Sequence, residues 1–462
     1  MRALITLTSL LLSTFLLLVG HGMQLTLLPL RATAIGHSDM QIALAGSSSF
    51  AGFLVGCFVV PQLIARVGHI RSFSVLASAM TSALLLTSLS NSLLLWIVLR
   101  FLVGICICGL YTVIESWLND QADESNRGTV LSVYTFLVLA GVAVGQQLIN
   151  TAPVTSATPF ILVAALVSLS IIPVSMTRKL APAPIESTRA SFSRLYRRSR
   201  VAFAGALLSG AVSGSFWSLG AIFAQRSGLS VSESTVFMSV AVLGGAILQY
   251  PFGWLSDRIG RHRVMALLAA LGAGACAAVA LASGAEQLLI AIFLFGATTM
   301  PIYAMALAAA ADNSQRHEFV EIGTSVLMLN AAGAVGAPLL FGQAMLLAGP
   351  LSLFWGCAGL CLLTGVYVLL QLLYVKPPAY VVPFSAAASD MAPTSFDMDP
   401  RGPEGAEGDL APAIELPSIS DSENVGSESA VESAENEGET GEIGRTEYGD
   451  PGESSEPQEK QP

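Results

Sequence analysis

The sequence predicts an all-α membrane protein of twelve transmembrane helices, set in two pseudo-symmetric six-helix halves and followed by a disordered tail. Composition is the first reason. Hydrophobic residues make up 53% of the 462-residue chain, charged residues 12%, and the mean hydropathy is +0.66, a balance that a water-soluble domain could not cover with polar surface. The second reason is spacing: apolar stretches of about 20 residues, long enough to span a bilayer, occur twelve times. The third is an internal repeat. Arg66 recurs as Arg258, Gly68 as Gly260, Gly104 as Gly296, Tyr111 as Tyr303, Asp120 as Asp312 and Gly141 as Gly333, each 192 residues later. Matches spread over four segments of each half are hard to assign to chance.

In order, the apolar segments fall at roughly 4–30, 39–64, 72–91, 93–118, 128–152, 157–176, 201–226, 230–254, 263–284, 286–311, 319–346 and 350–375. The first has some likeness to a cleaved secretory signal, with Arg2 ahead of it and Ala32-Thr33-Ala34 behind. Its apolar run continues to Leu30, however, too long for a signal's core, and cleavage would delete one member of a paired set. It is read as the first helix. Segments two and three flank a polar loop, segment four carries Arg100 and Glu115, and segment five carries Gly141 and Gly145. Residues 177–200, with seven basic groups, follow the sixth segment, and segments seven to twelve repeat the series. The division is therefore an N-terminal half at 1–176, a basic linker at 177–200, a C-terminal half at 201–376 and a tail at 377–462.

Lys and Arg orient the bundle. With the N-terminus inside, Arg2, Arg66, Arg71, Arg127, the linker's basic groups, Arg258, Arg261, Arg263, Arg316 and Lys376 are all cytoplasmic, and only Arg31 and Arg226 face out. Both termini are then cytoplasmic and the expected location is a bacterial inner membrane. The net charge of −10 belongs to the tail, where 20 acidic groups stand against three basic ones. Rich in Ser, Gly, Pro and Glu, that tail cannot bury enough apolar area to offset its ordering entropy. The basic linker reads as a topology signal and solvated connection, with anionic lipid head groups as the alternative partner. All six cysteines lie in apolar segments without the context of a zinc site or a disulfide framework. No cofactor, metal or nucleic acid is expected, and the chain is expected to be a monomer.

The segment Gly253-Trp-Leu-Ser-Asp257-Arg258-Ile-Gly260-Arg261-His-Arg263, and its worn copy Pro61-Gln-Leu-Ile-Ala65-Arg66-Val-Gly68-His69-Ile-Arg71, carry the most specific signal. The first resembles the cytoplasmic loop signature of the major facilitator superfamily, and the likeness spans about residues 1–375. Gly253 would allow close helix approach, Asp257 would accept hydrogen bonds at a helix start, and Arg258, Arg261 and Arg263 would hold the cytoplasmic ends together. The resemblance implies a latch that stabilises the outward-facing state, made of Gly253, Asp257, Arg258, Gly260, Arg261 and Arg263 with Arg66, Gly68 and Arg71. Ala65 replaces the acid in the first copy, which leaves Glu115 as the expected partner of Arg66 or Arg71, with a proton-coupling role as the equal alternative for Glu115. The run from Glu115 to Asn119, Asn126-Arg127-Gly128 and Pro301-Ile-Tyr303 resemble the YcaD-type branch of uncharacterised bacterial members.

Ionisable groups inside a membrane are costly and usually functional. Arg100, followed four residues later by Gly104, resembles the superfamily's fourth-helix signature. His21, flanked by Gly20 and Gly22, is a titratable group in an apolar helix, with Gln24 one turn along on the same face. With Tyr111, Gln146, Tyr303 and Asn330 they form the expected coupling and substrate cavity, Tyr111 and Tyr303 on opposite walls. Each could instead be a helix-to-helix hydrogen bond.

Duplicated helical halves are the architecture of many secondary transporters, and the resemblance implies the same. The expected function is proton-coupled movement of a small solute by alternating access. A primary pump is excluded by the lack of a phosphate-binding loop with its Lys, and a membrane protease by the lack of a His-Glu-x-x-His or nucleophile-loop motif; no enzyme is expected. The alternative is a non-transporting sensor or scaffold acting through its acidic tail.

Overall fold

The computed structural model describes residues 8–122, 127–176, 190–315, 318–374 and Phe384. Residues 177–189 of the linker, the tail apart from Phe384, Arg2, Arg316, Lys376 and the Arg127 side chain lie outside that set. Twelve helices among the described residues are long and apolar enough to cross a membrane. They are α1 (Thr8–Ala34), α2 (Asp39–Val67), α3 (His69–Leu89), α4 (Leu93–Gln121), α5 (Thr129–Thr151), α6 (Thr158–Ser175), α7 (Arg200–Arg226), α8 (Val231–Ile259), α9 (Arg261–Leu281), α10 (Ala285–Ala311), α11 (Phe319–Ala348) and α12 (Ser352–Tyr374). A short linker helix, Phe192–Arg198, precedes α7, and the described residues contain no β-strand.

Local chemistry sets where the helices start and stop. Ser38 with Gln41, and Ser230 with Glu233, form capping boxes at the heads of α2 and α8, each satisfying two orphan backbone donors. The two helices end at Gly68 and Gly260, with φ of 81° and 95°, a region that disfavours any residue with a Cβ. Both helices therefore run past the apolar windows that end near 64 and 254. Hydropathy falls where charge begins, but the backbone ladder continues until a glycine breaks it. Asp257 consequently sits in the last turn of α8, not at a helix start, and Arg66 and Arg258 are also helical. A 29-residue helix is about 44 Å long, more than the roughly 30 Å hydrocarbon core, so these charged turns project beyond the lipid tails.

Packing repeats between the halves. In the first, α1 lies against α5, α2 against α4 and α3 against α6; in the second, α7 lies against α11, α8 against α10 and α9 against α12. Glycine makes the tightest crossings possible. A methyl group on Gly52 or Gly104 would fall closer than 3.0 Å to the Phe101 or Ser49 carbonyl oxygen; on Gly244 or Gly296 it would meet the Phe293 or Ala241 carbonyl in the same way. All eight positions keep the 192-residue step. The halves meet chiefly through α2 with α11 and α5 with α8.

Candidate functional site

Hydrogen bonds between the halves lie toward the face that carries the α1–α2 connection. Gln147 donates to Ser239 Oγ at 2.6 Å and Asn150 to Thr235 Oγ1 at 2.9 Å, while Ser239 Oγ donates to Gln146 Oε1 at 2.8 Å. Arg226, at the end of α7, forms an ion pair of 2.7 Å with Asp39, at the head of α2. Asp39 is wholly buried whereas Arg226 is 39% exposed. Gln146, expected in the cavity, belongs instead to this seam because the turn of α5 that carries it faces α8.

Deeper in the bundle the halves enclose a cavity of about 650 Å³, counting its open mouth. His21 and Leu25 of α1, Ser49, Phe50 and Phe53 of α2, and Arg100, Ile107 and Tyr111 of α4 line one side. Ser213 and Trp217 of α7 and Asn330, Ala331 and Ala334 of α11 line the other. His21 packs edge-on against Tyr111, with ring centroids 6.2 Å apart. Gln24 Nε2 lies 2.9 Å from His21 Nδ1; an amide nitrogen can only donate, so Nδ1 accepts and a neutral ring carries its hydrogen on Nε2. The structure thus brings His21, Arg100, Tyr111 and Asn330 to one cavity, with Gln24 behind His21. Tyr303 is not among the lining residues but is buried just past the break that Pro301 makes in α10. Phe50, Phe53 and Ser213 also line the cavity and were missed, since apolar or small residues in an apolar helix carry no signal of their own.

At the opposite face, Arg261 is almost fully buried and binds three oxygens. It donates to Asp312 at 3.2 Å, to Asp257 in the preceding turn, and to Ser256. This ties the α8–α9 junction to the end of α10. Asp312, a repeat-related residue, was not foreseen as its partner. Arg258 stacks on Trp254 at 3.7 Å, while Arg66, Arg71 and Arg263 are exposed. Gly253 does not serve a helix crossing as expected: the Phe384 ring covers it, and the Phe384 amide donates to Asp257 at 3.2 Å. In the first half His69 occupies the position of Arg261, and its ring nitrogen lies 3.0 Å from Ser116 Oγ. Glu115 is buried and accepts a hydrogen bond from Tyr134 at 2.7 Å. The pairing expected between Glu115 and Arg66 or Arg71 is not made here, because those arginines point into solvent from the ends of α2 and α3.

Beside the basic face, Arg198 and Arg194 of the linker helix bind Glu318 and Glu321 of the α11 start at 2.9 and 2.6 Å. The hydrogen bond from Arg198 holds the Glu318 carboxyl below its ordinary range.

The family model of the Major Facilitator Superfamily matches residues 10–247 and 202–405. The chain belongs to the major facilitator superfamily. It is therefore an integral membrane protein of a transporter family whose members bind small molecules, many with proton coupling. It is 28% identical over 318 residues to an uncharacterised MFS-type transporter of Enterobacter sp. (strain 638), and 27% identical over the same length to the uncharacterised MFS-type transporter YcaD of Escherichia coli (strain SMS-3-5 / SECEC). Each alignment covers 68% of this chain and 82% of the relative, which bears out the resemblance to that branch. The nucleoside transporter NupG shares the fold, with a TM-score of 0.70 at 12% identity over 80% of this chain and 100% of NupG.

Proposed function

We propose that this protein moves a small solute across a bacterial inner membrane by alternating access, driven by protons, with both termini in the cytoplasm. The observation that carries the reading is the pairing of a seam on one face with a cavity behind it that holds a few polar groups in an apolar wall, between halves that each pack at glycine crossings. The exposed arginines Arg66, Arg71, Arg258 and Arg263 mark the other face as cytoplasmic, so this state is closed outside. Closing the cytoplasmic face would engage the latch residues around Gly253, Asp257, Arg258, Gly260, Arg261 and Arg263 with Arg66, Gly68 and Arg71 of the other half.

With a proton as the driving ion, His21 or Glu115 carries it, since Arg100 keeps its proton at any working pH. Protonation of His21 Nδ1 breaks the bond it accepts from Gln24. A 180° turn of that amide restores it with Oε1 as acceptor, an atom that is buried without a partner here. Proton uptake thus reorganises the cavity wall.

The test is flux in proteoliposomes against a metabolite panel, with and without an imposed pH gradient. His21→Gln or Glu115→Gln should abolish accumulation against a gradient while downhill exchange continues. Uphill transport that survives in both single mutants and the double mutant places coupling elsewhere, and absence of flux for the whole panel favours the scaffold alternative.

A further inference from the structure

We infer that the cavity recognises an organic anion: a solute with one carboxylate and an apolar or aromatic body. The inference rests on the transport reading for its physiological meaning, but its chemistry comes from Arg100. This side chain is 7% exposed and lines the cavity, and it makes no hydrogen bond or ion pair with any described residue. One terminal nitrogen, Nη1, is buried without a partner. A guanidinium held like that is destabilising unless something else supplies the negative charge. Among the described residues no Asp or Glu lines the cavity, and Glu115 on the same helix is about 22 Å away along the axis. The missing charge is therefore supplied by the solute. Guanidinium presents a planar fork that matches a carboxylate in two parallel hydrogen bonds.

The remaining wall says what the body of the solute is. Phe50, Phe53, Tyr111 and Trp217 line the space with aromatic rings, while Asn330 and Ser213 add neutral polar groups on the far side. The 192-residue step places Ile292 where Arg100 has its counterpart and Ser213 where His21 has its own, so the second half offers no matching cation. With the His21 ring neutral, one charge on one wall fits a monoanion lying with its acid toward α4 and its body toward α7.

Three probes with the same body and different charge test this: indole-3-acetate, indole-3-acetamide and tryptamine. Phenylacetate and naphthalene-2-acetate serve as further carboxylates. Binding to the purified full chain in detergent is read by competition with a radiolabelled carboxylate and by the shift in melting temperature. At least one carboxylate should bind ten times or more tightly than its amide, and tryptamine should not compete. Arg100→Gln should bring carboxylate affinity down to that of the amide while the ligand-free protein melts no lower, since an unpaired buried charge has been removed; Arg100→Lys should keep part of the preference. Equal binding of acid and amide, carboxylate binding unaffected by Arg100→Gln, or no binding by any of the three acids overturns the inference. Binding is read without flux, so a protein that binds these acids but transports nothing removes the transport reading and leaves the recognition in place.

Discussion

Replacing Asp39 by Asn should release the closed face. Its carboxylate is fully buried and 2.7 Å from Arg226, the ion pair that joins α2 of one half to α7 of the other. Truncating one partner of a fully buried pair costs about 3–5 kcal/mol, whereas an exposed pair is worth about 0–1 kcal/mol. Arg226 is 39% exposed and can be rehydrated, and Asn keeps the shape and one acceptor, so the loss is placed at about 1–2 kcal/mol. If parting of the halves breaks this contact, as the proposed cycle requires, that loss appears as a shift of about 5–30-fold toward the open state. Nitroxide labels at Ala157 and Ser232, exposed positions on this face in different halves, report the shift by pulsed EPR once the native cysteines are replaced. The longer-distance population should grow by that factor. An unchanged distribution refutes the argument, as does a double mutant with Arg226→Gln whose effect is simply the sum of the two single effects.

Other outcomes follow from the packing and the charged clusters. Gly104→Ala and Gly296→Ala each force a helix crossing apart and should cost about 1–3 kcal/mol, read as melting temperature in detergent; Gly274→Ala and Gly359→Ala, with nothing near the added methyl, should cost nothing, and equal losses at all four would discredit the crossing account. Arg261→Gln takes from the buried Asp312 the guanidinium that contacts it at 3.2 Å and should destabilise the second half by up to about 3 kcal/mol; an unchanged melting temperature would show that the buried cluster contributes little. The linker helix should respond to acid through Glu318: its carboxyl is held low in the folded state, so the contribution is present in full above the ordinary glutamate range and fades as pH falls through the folded value. A spin label at Ser193 should become mobile over that acidic window, and Glu318→Gln should remove the response. A chain stopped after Pro378 lacks Phe384 and should still transport at near-normal turnover per molecule; collapse of turnover at normal protein level would make the tail a working part.

Apolar run length and the repeat made the twelve helices legible, since a bilayer demands both length and apolarity from every span. The 192-residue step holds more than the six pairs of Arg, Gly, Tyr and Asp. Gly52 with Gly244, Gly22 with Gly214, Ser38 with Ser230 and His69 with Arg261 all obey it, and the last pair would have shown which residue replaces the buried arginine. Helix ends were less legible, because hydropathy stops at the first charge while α2 and α8 run on to Gly68 and Gly260. At the site, spacing pointed to Arg100, His21 and Asn330 through polarity alone. Pairings such as Arg261 with Asp312, or Tyr134 with Glu115, depend on how each helix is rotated against its neighbours, which one helix's sequence does not encode. Cavity-facing and lipid-facing aromatics look alike for the same reason: Phe50 lines the cavity and Phe136 is 68% exposed on the outer surface.

The amide and hydroxyl bonds of Gln146, Gln147 and Asn150 with Ser239 and Thr235 give the two kinds of interface in this molecule opposite temperaments. Inside each half, backbone lies against backbone at the glycines, and separation would leave a gap that neither lipid nor water fills well. Across the seam, each bond that parts can be replaced by one to water at little net cost. If the halves part here, such a joint would wet as it opens and dry as it closes, so that these polar bonds add little to the cost of parting, unlike the buried Asp39–Arg226 pair.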